Sequence, residues 1–121
     1  MSPRTRTAVV FAVVATVVVT GFTVSRLHDQ RLRREGYAKA QKVKDDIDRR
    51  FPAGTLRVPF LEFVRKWPGL QSVSESSAWI SVGEVPSHVW YCGPWEVGVV
   101  VSFAQDRVSA TEVESRGVNC L

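Results

Sequence analysis

The chain has 121 residues with 16 Lys/Arg against 12 Asp/Glu, a net charge of +4, and only two cysteines. The charge is unevenly placed: residues 1–50 carry eleven Lys/Arg against five Asp/Glu, whereas residues 51–121 carry five against seven. The second stretch is thus mildly acidic and has no basic stripe interleaved with aromatics, which argues against a nucleic-acid partner. It is also long enough for just one small domain, whose core would gain from a covalent staple.

The first element is the uncharged run from Thr7 to Val24, built from Val, Ala, Thr, Phe and Gly. As a helix these residues extend about 27 Å, close to the thickness of a bilayer's hydrocarbon core. A helix apolar on every face needs lipid or a large protein around it, and the remaining chain is too small to bury this one. Residues 1–6 therefore read as a basic tail and 7–25 as a transmembrane helix. A cleaved signal peptide competes with this reading, because Arg4 and Arg6 form a short positive region ahead of the run. Against cleavage, the run exceeds the usual signal core and no small-residue cleavage site follows it. The first cysteine is Cys92, so no lipidation cysteine stands near the anchor.

Orientation is contested by charge. Arg26, Arg31, Arg33, Arg34, Lys39, Lys42 and Lys44 on the C-terminal side outnumber Arg4 and Arg6, which by counting favours a cytoplasmic C-terminus. Single N-terminal spans with a short basic lead commonly act as uncleaved signals, and this, with the cysteines, favours an extracytoplasmic C-terminal domain at a cell inner membrane. Within the span, Ala8, Ala12, Thr16 and Thr20 recur every four residues and align small side chains for a possible homodimer through the span.

Arg26 to Phe51 contains no Pro, one Gly and several opposite charges four residues apart, among them Asp45 with Arg49 and Asp46 with Arg50, which predicts a long helix. Residues 26–39 form a juxtamembrane stalk, and 40–121 the small domain. Tyr37, Ala40, Val43, Ile47 and Phe51 share one stripe. Pro52-Ala53-Gly54 then interrupts the helix. A second amphipathic helix follows, capped by Thr55 or opening at Pro59, with Phe60, Phe63, Val64 and Trp67 inward and Pro68-Gly69 as its stop.

Leu70 to Ser77 reads as a loop, after which the period changes to two. Ala78, Ile80 and Val82 form a strand ended by a turn at Gly83-Glu84. Val89 and Tyr91 alternate with His88, Trp90 and Cys92 in the next. Trp95 to Phe103 is the clearest strand, and Gln105-Asp106 turns into a fourth from Val108, with a bulge or an ending near Glu114. The predicted architecture is α+β: a transmembrane helix, a long stalk helix, a second helix and a meander of three to four antiparallel strands, helices on one face.

Phe51-Pro52-Ala53-Gly54-Thr55, the amphipathic Phe60-Leu61-Glu62-Phe63-Val64 and the hairpin from Val99 to Val108 together resemble the layout of small bacterial envelope modules of the SmpA/BamE type, over roughly residues 40 to 115. That resemblance implies a fold similar to half of the β-lactamase-inhibitor protein and a role in envelope binding or assembly rather than catalysis. Those modules begin at a lipidated cysteine, which this chain lacks, so the resemblance carries no binding residue across.

Two motifs invite chemistry that their surroundings do not support. Trp90-Tyr91-Cys92-Gly93-Pro94-Trp95 is superficially similar to a thioredoxin site, but the second thiol is replaced by Trp95. His28, His88, Cys92 and Cys120 lack metal-ligand spacing. No catalytic constellation, cofactor site or metal site is predicted. Trp90, Tyr91 and Trp95 are candidate anchors for a partner, and Cys92 with Cys120 a candidate disulfide that ties down the C-terminal tail. The function expected is a single-pass membrane protein whose extracytoplasmic domain binds another envelope protein or aids an assembly. The alternatives are a cytoplasmic-facing accessory subunit of a membrane complex and a small enzyme with an unrecognised site.

Overall fold

The computed structural model describes residues 2–87, 89 and 91–117. In chain order it has a helix α1 (Pro3–Arg50), a short helix α2 (Arg57–Arg65), and strands β1 (Gln71–Val73), β2 (Ser77–Val85), β3 (Trp95–Ala104) and β4 (Arg107–Gly117). The chain divides into two compact units, Met1–Arg31 and Leu32–Leu121, with the border inside the predicted stalk.

In the first unit, α1 is capped by Ser2, whose Oγ accepts the Thr5 N–H at 3.3 Å. The apolar residues from Val9 to Leu27 are exposed all round the helix. Three of its threonines turn their hydroxyls back onto the helix: Thr7, Thr16 and Thr23 donate to the carbonyls of Pro3, Ala12 and Val19, each at 2.8–2.9 Å. Arg26 reaches back over the Phe22 ring.

The second unit is built on an antiparallel sheet in the order β1-β2-β3-β4. Its main core joins Ile47 of α1 and Phe60 and Val64 of α2 with Ala78, Ile80, Val99, Val101 and Val108. Phe51, Phe63, Trp67 and Phe103 surround it, with ring centroids of neighbouring pairs 5.4–6.0 Å apart. A smaller cluster of Ala40, Val85 and Val97, flanked by Val82, Trp95 and Val113, continues the core along α1. Of the predicted stripes, Ala40, Ile47, Phe60 and Val64 are buried and Val43, Phe51, Phe63 and Trp67 partly so, but Tyr37 is exposed.

Register explains why the strands serve one core despite irregular patterning. Ile80 faces Val99 and Ala78 faces Val101, but the pairing then shifts so that Gly83 faces Val97 and Val85 faces Trp95. Val82 is the extra residue, and this bulge returns Val85 to the face of Ile80. A second shift, at Ser102/Phe103, sets Phe103 opposite Val108 but Ser102 opposite Ala110, with Ser109 the extra residue. It brings Val113 onto the face of Val108 and leaves Ala110 on the other, so a bulge is present but before Ala110 rather than after it, and the strand runs on to Gly117.

Four local readings are corrected. Gly83-Glu84 is not a turn, because the bulge lets β2 continue through it to Val85. The predicted strand around Val89 and Tyr91 is instead a turn, with the Cys92 N–H donating to the Val89 carbonyl at 3.2 Å; His88 and Trp90 lie outside the described residues. The Leu70–Ser77 loop contains β1, which pairs Gln71 with Ile80 and Val73 with Ala78. Thr55 does not cap α2: its hydroxyl donates to the Pro52 carbonyl at 2.6 Å, and the cap position is Leu56. Pro59 falls in the first turn of α2, where its missing N–H leaves no helical bond unmade.

Candidate interaction surface

The sheet face turned away from the main core carries a compact arrangement around Trp79. Its indole is 5% exposed and lies against Gly98 of β3: a Cβ at that position would come within 2.8 Å of the ring and overlap the Ile80 carbonyl. Over the indole sits the Arg116 guanidinium, 4.3 Å from the ring centroid. Arg116 Nη2 is in turn 3.8 Å from Glu114 Oε2. Both charged residues lie on β4, and with Glu112 they form its outward row, since Glu112 and Glu114 pair in register with Val100 and Gly98.

At the turn end of the same hairpin, Gln105 and Asp106 both adopt positive φ, 53° and 59°, the pattern of a two-residue I′ turn. The Asp106 carbonyl accepts the Arg57 N–H at 2.9 Å and so takes up one of the free donors at the start of α2. The Arg57 side chain lies over Phe103 and donates from Nη2 to the Ser74 carbonyl at 2.8 Å, while its buried Nε meets no acceptor among the described residues. These contacts tie α2, the β1–β2 turn and the β3–β4 turn together.

Of the predicted partner anchors, Tyr91 is 43% exposed, Trp95 packs against the Ala40–Val85–Val97 cluster, and Trp90 lies outside the described residues. The structure therefore places Trp95 on the core side of the sheet, next to α1, whereas Tyr91 presents itself to solvent. Cys92 is half-buried, and there is no free cysteine among the described residues; the predicted pairing with Cys120 falls on a residue outside them. Ala8, Ala12, Thr16 and Thr20 remain on the exposed surface of α1, where Ala12, Val13, Thr16 and Val17 line a shallow apolar groove.

Among the described residues no three His, Cys, Asp or Glu side chains converge as a metal site would need. His28 is on α1 in the first unit, and His88 and Cys120 lie outside the described residues. The ion pairs on α1 are solvated helix pairs: Lys44 with Asp48, and Asp46 with both Arg49 and Arg50. The hydrogen bond to Asp48 holds the Lys44 ammonium above its usual pKa, an effect of the helix surface rather than of a reactive site.

No family model, curated protein or solved structure matches this chain. The geometry must carry the functional argument alone. It offers an apolar helix, an α+β unit, an acidic outer row on β4 and an exposed tyrosine. The Trp79–Arg116 stack was missed in sequence, because the pair is 37 positions apart and only the register of β2, β3 and β4 brings it together.

Proposed function

We propose that this chain is a single-pass inner-membrane protein whose C-terminal α+β unit, its sheet covered on one face by the two helices, lies outside the cytoplasm and serves as a protein-interaction or envelope-assembly module. The observation that carries the reading is the first part of α1. It has an 18-residue apolar stretch of which no part is buried, and the Thr16 and Thr23 hydroxyls are satisfied within the helix. A bilayer is the solvent that suits such a surface. The buried cluster shared by α1, α2 and the sheet supports the covered face, and the sequence layout over roughly residues 40 to 115, which resembles that of SmpA/BamE-type modules, favours the binding role.

A cytoplasmic-facing accessory subunit is the second reading, favoured by Arg31, Arg33 and Arg34 just beyond the apolar run. Fusing a reporter active only outside the cytoplasm after Leu121 separates the two. Signal supports the outward orientation, and silence from a stably expressed fusion removes it. In-cell crosslinking with mass spectrometry then tests the interaction role.

A further inference from the structure

We propose that the outer edge of β4 receives an extended segment of a partner protein, one with basic side chains at alternate positions, as a fifth strand of the sheet. The proposal rests on the interaction reading above and narrows it to a surface and a partner chemistry.

The strand order leaves β1 and β4 at the rims. Exposed sheet edges are usually blunted by shortness, by Pro or charged side chains, Lys above all, by bulges or by a covering segment. β1 is blunted by its three-residue length. The start of β4 is covered too: Gly54 donates to the Val108 carbonyl, Val108 donates to the Thr55 carbonyl, both at 2.8 Å, and Leu56 bridges Arg107. Past the bulge at Ser109 no described segment continues this cover. From Ala110 to Gly117 no described residue other than those of β3 pairs with the strand, and the stretch contains neither Pro nor Lys. In an antiparallel ladder every second residue turns its N–H and C=O away from its neighbour, so the stretch presents a row of groups ready for another strand.

Charge selects the occupant. Glu112 and Glu114 are exposed on the outward row; Arg116, engaged over Trp79, stands 3.8 Å from Glu114, and Glu112 is near enough to Lys44 of α1 to favour its charged form, which leaves the row itself with two carboxylates to one guanidinium. A second copy of this chain, paired two-fold about the middle of the stretch, would suffer for it. Centred on Val113 it sets Glu112 against Glu114, and centred on either glutamate it sets that residue against itself. Like charges directly opposite destabilise a pair of strands, and opposite charges support it. A strand with Lys or Arg two residues apart places a cation beside each glutamate.

The test uses the full chain in non-ionic detergent micelles and a fluorescent eight-residue peptide of alternating Lys and Val, read by anisotropy. Saturable binding is expected. The same peptide with Glu for Lys should bind roughly tenfold more weakly or worse, and N-methylation of the alternate nitrogens that face β4 should abolish binding. Glu112→Lys with Glu114→Lys, both exposed and checked for an unchanged circular dichroism spectrum, should reverse the peptide preference. No binding by either peptide, or an unreversed preference in the double variant, overturns the proposal. So does sedimentation showing a dimer that the double variant dissolves, which would make a second copy the occupant. The peptide assay does not depend on orientation, so a silent topology reporter would leave this edge standing. Native crosslinks that survive the double variant would leave the interaction role standing and remove the edge.

Discussion

Gly36 of α1 lies directly against Val85 of β2, so closely that a Cβ on Gly36 would overlap the Val85 Cγ1 atom. Val85 is 3% exposed and belongs to the cluster with Ala40 and Val97. A glycine in mid-helix ordinarily costs about 1 kcal/mol relative to alanine. Here it is the absence of a side chain that lets the helix approach the strand, and the bulge at Val82 is what aims Val85 at it.

Replacing Gly36 with Ala should therefore lower stability despite the better helix propensity. Overpacking of this kind costs about 1–3 kcal/mol, and Val85, branched at Cβ, has little rotamer freedom with which to yield. Gly36→Ala is expected to lower Tm in detergent by several degrees. Adding Val85→Ala should recover part of the loss, giving a coupling of about 1 kcal/mol in the double-mutant cycle. Additive effects would show that the two side chains do not meet.

The β3–β4 turn offers the opposite change. Gln105 and Asp106 hold positive φ without being glycine or asparagine at the first position, whereas Asn-Gly suits an I′ turn best. Gln105→Asn with Asp106→Gly should raise stability by about 0.5–1 kcal/mol, seen as a higher Tm. The Arg57 N–H bond to the carbonyl at position 106 involves backbone alone and survives the change. An unchanged or lower Tm would count against a strained turn.

What was legible in sequence follows the strength of local periodicity. Phe60 and Val64, Ala40 and Ile47, and Val97, Val99 and Val101 are buried where spacing alone placed them, because each lies on an unbroken repeat of helical or strand period. β1 was hidden because Gln71, Ser72 and Val73 are all exposed and so carry no alternation; pairing with β2 makes them a strand. The bulge at Val82 defeated the pattern differently. One inserted residue changes the period at Gly83-Glu84, and a glycine beside a charge then looks like a turn. At the surface, Tyr91 and Trp95 are near neighbours in sequence, but Trp95 opens β3 opposite Val85 whereas Tyr91 lies in the turn before it.

That separation yields a prediction for the aromatic anchors. Trp95→Ala should lower Tm sharply, through a stability loss on the order of 3 kcal/mol for a large aromatic side chain that is mostly packed. Tyr91→Ala should change stability by no more than about 0.5 kcal/mol. If Tyr91 touches a partner, its replacement should weaken in-cell crosslinks while thermal stability is unchanged. A Tyr91 variant that loses stability but keeps its crosslinks would make the tyrosine a packing residue and remove it from the partner surface.

The last prediction joins the cysteines to orientation. A bond from Cys92 to Cys120 would close a loop of 29 residues counting both ends, and such closure constrains the unfolded chain by about 3–4 kcal/mol. In a domain of this size that is a large share of total stability. Disulfides of this kind persist outside the cytoplasm and are rare within it, so the bond and the outward orientation stand together. Protein purified without reductant is expected to resist alkylation at both positions until reduced, and reduction should lower Tm by more than 10 °C. Cys92→Ser and Cys120→Ser should each reproduce the reduced Tm, because either one opens the loop. Two alkylatable thiols in unreduced protein would sink the bond and, with it, one of the grounds for placing the domain outside the cytoplasm.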